Sequence, residues 1–163
     1  MWSADGTQIL FRQEDGMGRV RADGSTPIER LHDGNAYPHS ITRDGATLLF
    51  QMPSSDSGSN VWMMAIGGDR TARPLLNSPA NESWAELSPD GKWLAYGSDS
   101  SGRFEVYVQP FPGPGGKRQI SSEGGVQARW RRDGAELFYI ASDNRLMAVP
   151  VRLDSTGGTF LRK

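Results

Sequence analysis

The sequence predicts an all-β chain, and three observations carry that prediction. An Asp-Gly motif returns four times, the residues after each copy form short apolar strands, and no window keeps a 3.6-residue apolar period through three turns. Composition agrees: 20 glycines and 10 prolines in 163 residues favour many short elements joined by turns.

The four copies are Trp2-Ser3-Ala4-Asp5-Gly6, Ile41-Thr42-Arg43-Asp44-Gly45, Leu87-Ser88-Pro89-Asp90-Gly91 and Trp130-Arg131-Arg132-Asp133-Gly134. With positions counted from the Asp, a large apolar residue stands at −3 (Trp2, Ile41, Leu87, Trp130) and another at +4 (Ile9, Leu48, Leu94, Leu137). An aromatic residue follows at +6: Phe11, Phe50, Tyr96 or Tyr139. Successive aspartates are 39, 46 and 43 positions apart, close to the ~40 to 45 of four-stranded propeller blades.

Each copy reads as a hairpin turn. In Ser88-Pro89-Asp90-Gly91, Pro presets φ at the second position of a type I turn, Asp bonds local N–H groups, and Gly takes positive φ. The strand after the turn is apolar at +4, +5 and +6 alike, so both of its faces are covered, as in blades stacked between neighbours. A third strand is expected around Arg19 to Arg21, Asn60 to Ile66, Phe104 to Gln109 and Arg145 to Val149. It ends at Asp23-Gly24, Gly67-Gly68, Gly113-Pro114-Gly115-Gly116 or Gly157-Gly158, and a short fourth strand follows at Ile28 to Leu31, Pro74 to Leu76, Arg118 to Ile120 and Thr159 to Leu161. The innermost strand precedes the Asp-Gly turn, at Tyr37 to Ile41, Trp84 to Leu87 and Val126 to Trp130, and the first copy lacks nearly all of it.

The expected architecture is therefore a β-propeller of about four four-stranded blades, the first and last incomplete, with repeats at about 1–34, 35–79, 80–123 and 124–163. It reads as an open fragment of a six- to eight-bladed ring, with a closed four-bladed ring as the alternative. Bare terminal blade faces then predict self-association, or union with the missing blades of a parent chain.

Function classes fall away quickly. The 18 basic and 19 acidic residues nearly cancel, so no nucleic-acid surface announces itself. Without cysteine, and with only His32 and His39, thiolate and histidine-rich metal sites are excluded, and no cofactor motif is present. The longest apolar run, Val61 to Ile66, is far short of the ~20 residues of a membrane span, and Met1 to Gly6 does not read as a signal peptide. Gly16-Met17-Gly18 reads as a strand-connecting turn, not a phosphate loop, and there is no Gly-x-Ser-x-Gly nucleophile elbow. Asp5, Asp44, Asp90 and Asp133, with Gly6, Gly45, Gly91 and Gly134, read as turn residues, since lone carboxylates in separate blades do not build a calcium site. No catalytic residue is assigned. The candidate binding residues are His39, Glu86 and Arg129, which the innermost strands would present to a central channel, where an imidazole, a carboxylate and a guanidinium suit a polar ligand.

The unit Ser-Pro-Asp-Gly-x-x-Leu-Ala-Tyr, complete from Ser88 to Tyr96, resembles the WD40-like propeller repeat of TolB-type proteins. Copies one, two and four depart from it, with Ala4, Arg43 and Arg132 where the repeat has Pro. The stretch from Leu87 to Val151, above all EVYVQPFPGPGG from Glu105 to Gly116, is similar to the carboxy-terminal propeller of bacterial eukaryotic-like Ser/Thr protein kinases. That resemblance implies a non-catalytic sensor or protein-interaction module on the extracytoplasmic side of a membrane, with a protein or small ligand as partner. The generic repeat also resembles the propellers of prolyl oligopeptidase-like serine peptidases and of TolB-like periplasmic protein-binding scaffolds, which are the alternative parents.

Overall fold

The computed structural model describes residues 1–55, 58–113, 115–152 and 159–160. Its strands are antiparallel throughout, in two compact units, Met1–Pro79 and Ala80–Lys163, each with two sheets. In the first unit, β1 (Gln8–Gln13), β2 (Gly16–Arg21) and β3 (Glu29–Asp33) form a three-stranded sheet, and β4 (Tyr37–Ile41), β5 (Thr47–Ser54), β6 (Gly58–Ala65) and β7 (Arg73–Leu76) a four-stranded one. In the second, β8 (Glu82–Leu87), β9 (Trp93–Ser98), β10 (Glu105–Pro110) and β11 (Arg118–Gln119) form one sheet, and β12 (Gly125–Trp130), β13 (Glu136–Ala141), β14 (Leu146–Arg152) and β15 (Thr159–Phe160) the other. Each sheet is a meander in which sequence neighbours pair.

Among the described residues the first sheet lacks an innermost strand, as its sequence indicates. Only a stub remains: Trp2 bridges Ile9, and Met1 and Leu10 exchange backbone hydrogen bonds. The expectation of an incomplete last sheet is corrected, because Val151 and Arg152 of β14 pair with Phe160 and Thr159, giving a fourth strand. The expected turn at Gly157-Gly158 lies outside the described residues, as do Pro114 and the residues from Leu161 onward. Gly16-Met17-Gly18 is also corrected: these residues lie within β2, and Glu14 and Asp15 make the turn. Gly16 is needed there because a Cβ would sit 2.2 Å from the His32 carbonyl oxygen.

Period-two alternation explains how neighbouring sheets interlock. Leu10, the +5 residue of the first copy, shares a core with Leu48 and Phe50, the +4 and +6 residues of the second. In the other unit Ala95, again at +5, shares a core with Leu137 and Tyr139 at +4 and +6. Opposite faces of these strands are covered too: Leu49 is fully buried beside Leu48 and Phe50, and all six residues of β9 are buried. Each such Leu or Phe contributes roughly 1.5–3 kcal/mol on burial.

The four Asp-Gly turns share one hydrogen-bond pattern. The Gly N–H donates to the −2 carbonyl (Ser3, Thr42, Ser88, Arg131) at 2.8 to 3.0 Å, with Gly φ between +70° and +75°. The Asp accepts from the +2 backbone N–H (Thr7, Ala46, Lys92, Ala135) at 3.0 to 3.1 Å. Three copies add a hydroxyl at −2. Ser3, Thr42 and Ser88 donate to the Asp at 2.7, 2.6 and 2.5 Å and accept from the +3 backbone N–H. In the fourth copy Arg131 substitutes, gripping Asp133 through Nε and NH2 and Glu136 through NH1.

Candidate functional site

The innermost strands β4, β8 and β12 share an irregularity that places their side chains. In each, the −4 residue pairs with +5 and the −7 residue with +7: Ser40 with Leu49 and Tyr37 with Gln51, Glu86 with Ala95 and Ser83 with Gly97, Arg129 with Phe138 and Val126 with Ile140. Residues −6 and −5 therefore stand against one partner position, which is a β-bulge, a device that bends a strand and re-aims side chains. At −6, Trp84 and Gln127 take φ of 55° and 54°, a left-handed conformation that bulky residues rarely adopt. In β4 the same position is Pro38, whose ring holds φ negative, so that bulge closes without the left-handed residue. Trp84 then packs edge-on to Phe104, ring centroids 5.2 Å apart, and covers Gly97.

The bulges leave Glu86 and Arg129 at the same repeat position on adjacent innermost strands. Arg129 NH1 donates to Glu86 Oε2 at 2.7 Å and to the Ala128 carbonyl at 2.9 Å, while Trp130 Nε1 donates to the Glu86 carbonyl. The Glu86 side chain is 21% exposed and that of Arg129 is 53% exposed. Burial raises the Glu86 carboxyl above its ordinary range, and the Arg129 guanidinium opposes this. Glu86 thus acts as a seated anchor that orients Arg129, whose Nε and NH2 make no hydrogen bond to any described residue. Such a pre-oriented guanidinium edge matches a carboxylate or another planar acceptor.

His39 sits differently. It lies in the first unit at the −5 position of β4, where the other copies have Ala85 and Ala128, and its Nε2 is 3.0 Å from Gln51 Oε1. Ser40 is the residue of that strand at the level of Glu86 and Arg129. Of the three candidates, the structure brings Glu86 and Arg129 into contact and gives His39 a neighbour of its own.

The turn aspartates spend their oxygens locally. Hydrogen bonds from Ser3 and Thr7 lower the Asp5 carboxyl to about 2, and Arg131 and the Ala135 N–H lower Asp133 to about 2. Thr42 and Ala46 lower Asp44 in the same way. No group of three or more potential metal-ligating side chains occurs among the described residues. Sequence reasoning missed Glu105, which is buried at 1% exposure. It accepts from Arg103 Nε at 2.8 Å, Gly124 N at 3.0 Å and the Ser121 hydroxyl, tying β10 to the loop before β12. A carboxylate opening an apolar strand, followed by the Ser121-Ser122 pair, is the signal that could have revealed it.

No protein-family model matches the chain. Among solved structures it is similar to TolB from Acinetobacter baumannii, at 20% identity over 98% of this chain and 42% of that one, with a TM-score of 0.75. Prolyl oligopeptidase B from Galerina marginata, bound to a 35mer substrate, matches 99% of this chain and 25% of its own, at 12% identity and a TM-score of 0.68. A puromycin-hydrolyzing peptidase from Mycobacterium tuberculosis matches 100% of this chain and 30% of its own, at 17% identity and a TM-score of 0.63. At these identities the likeness shows the fold, a TolB-type β-propeller-like one, and the chain spans less than half the length of each of these structures.

Proposed function

We propose that the chain is a non-catalytic propeller module that recognises a protein or small polar partner through its innermost strands, in the manner of a TolB-like scaffold on the extracytoplasmic side of a membrane. One observation carries this reading: Arg129, oriented by Glu86 and flanked by a strained bulge, offers an unclaimed guanidinium edge. Strained backbone concentrates at functional sites, and a pre-oriented charge binds with less loss of side-chain freedom. His39 joins the proposed partner-facing residues as a polar group on the innermost strand of the first unit.

The fold likeness to prolyl oligopeptidase B supports a second reading, in which the module is the propeller part of a serine peptidase and the reacting groups come from another part of the parent protein. The kinase-linked sensor rests on the sequence resemblance from Leu87 to Val151, most specifically Glu105 to Gly116. An array of immobilised peptides probed with the wild-type chain and with Arg129→Ala and Glu86→Ala tests the module. Selective retention that both substitutions abolish supports it, whereas retention unchanged in both overturns the site. Turnover of chromogenic peptidyl or ester substrates by the purified chain overturns the non-catalytic reading.

A further inference from the structure

Each unit carries a cleft at the same repeat position, between the Asp-Gly turns of its two sheets. The first, of about 320 Å³, is lined by Asp5, Asp44, Arg19 and Arg43 over apolar groups that include Ile41 and Ile66. The second, of about 340 Å³, is lined by Pro89, Asp90, Asp133, Gly134, Ala135 and Val151. The correspondence is structural. Ile66 and Val151 close the two clefts with equivalent hydrogen bonds, from the Ile66 N–H to the Ala46 carbonyl and from the Val151 N–H to the Ala135 carbonyl. The two clefts differ in charge, since only the first has basic residues in its lining.

The other charged groups of the first cleft have hydrogen-bond partners of their own, although those of Asp5 and Asp44 are neutral and leave both carboxylates charged. Asp5 accepts from Ser3 and Thr7, and Asp44 accepts from Thr42 and the Ala46 N–H. Arg19 donates to Glu29 at 2.7 Å and to Gln8. Arg43 makes no hydrogen bond or ion pair with any described residue, and it lies within the lining. The cleft therefore offers one guanidinium with unused donors, Arg43, beside an apolar floor, in a lining that also holds the charged Asp5 and Asp44.

We propose that this cleft binds a small organic carboxylate, its charge held by Arg43 and its apolar body resting on Ile41 and Ile66. The site lies at the Asp-Gly turns, takes only Ile41, the last residue of β4, from an innermost strand, and does not depend on the role proposed for Glu86 and Arg129. A guanidinium takes a carboxylate through two parallel N–H···O bonds, and the second cleft, which lacks any cation, does not bind it. The proposal assigns the Arg at −1 of the second copy a role that Ala4 and Pro89, its counterparts in two other copies, have no charge to perform.

Titration of the full chain with N-acetyl-leucine, followed by amide chemical shifts, tests this. Saturable shifts are expected at Ile41, Arg43, Gly45 and Ile66 but not at Gly134 or Val151. Arg43→Gln should weaken binding about tenfold or more, the loss expected for a charged hydrogen-bonding partner. Arg43→Lys should recover part of it, and Arg132→Gln, the equivalent change in the fourth copy, should leave it unchanged. Absence of saturable shifts, equal binding of the uncharged N-acetyl-leucinamide, equal shifts in the second cleft, or unaltered affinity in Arg43→Gln would each overturn the proposal.

Discussion

The indole of Trp84 lies over Gly97 so closely that a Cβ at position 97 would sit 2.8 Å from Trp84 Cε3. The contact joins β8 to β9 at the bulge, where Trp84 holds its left-handed backbone. Gly97→Ala should therefore destabilise the protein by about 1–3 kcal/mol through overpacking. Urea denaturation of Gly97→Ala, Trp84→Ala and the double variant measures it. The penalty should nearly vanish in the Trp84→Ala background, and equal penalties in both backgrounds would show that the ring is not the cause.

Gly91→Val tests the turn without steric interference, since a Cβ at Gly91 meets nothing within 4 Å while φ is +70°. The cost is then purely conformational, at ~1 kcal/mol or more for a β-branched residue. Gly91→Asn should cost less, because Asn enters the left-handed region more readily. A denaturant midpoint unchanged in the Val variant would contradict the turn geometry.

Acid should loosen the turns from a predictable side. Asp5 and Asp133 have folded-state values lowered to about 2. Their stabilising effect is present above the ordinary carboxylate value near ~4 and is lost as pH falls through about 2. Denaturation midpoints should decline between about pH 4 and 2, and Asp133→Asn should flatten part of that decline. Glu86 runs the other way, because its raised value means that the folded state holds its proton to higher pH than the unfolded chain does.

Glu105→Ala should be among the more damaging single changes in the second unit. It strands the buried Ser121 hydroxyl and Gly124 N–H that the carboxylate now receives, and frees the exposed Arg103 guanidinium to water. Roughly 1–3 kcal/mol per unsatisfied buried group sets the expected loss, readable as a lowered urea midpoint.

The isolated chain should self-associate. Among the described residues, β1 is bridged on its inner side only through the Met1–Ser3 stub, which leaves Phe11 to Gln13 with an open strand edge, and Trp2 is 58% exposed. Sedimentation velocity showing a single monomeric species at all concentrations would refute this.

Much of this fold was legible in the chain because its rules are local. The Asp-Gly turn and the apolar run at +4 to +6 can be read from side-chain chemistry alone, and Leu48, Phe50, Leu94 and Leu137 are buried where period two places them. The bulges were not legible. Positive φ at Trp84 and Gln127 comes from pairing with β9 and β13, and nothing about Trp or Gln advertises it. The candidate site was legible only in part: the strand positions of His39, Glu86 and Arg129 can be read from the repeat, but the Arg129–Glu86 ion pair and the His39–Gln51 contact depend on how the strands bend and pair. The −2 hydroxyls of Ser3, Thr42 and Ser88 were visible, but their double role as donor and acceptor emerges only once the hairpin closes.

The turn knot is tied by the −2 residue, the Asp, the Gly and the backbone beyond them, so the side chain at −1 takes no part in it. Ala4, Arg43, Pro89 and Arg132 occupy that place in turns of the same shape. A protein assembled from such units can exchange this one residue at little risk to its architecture, and so holds a ready row of positions on which new specificities can evolve.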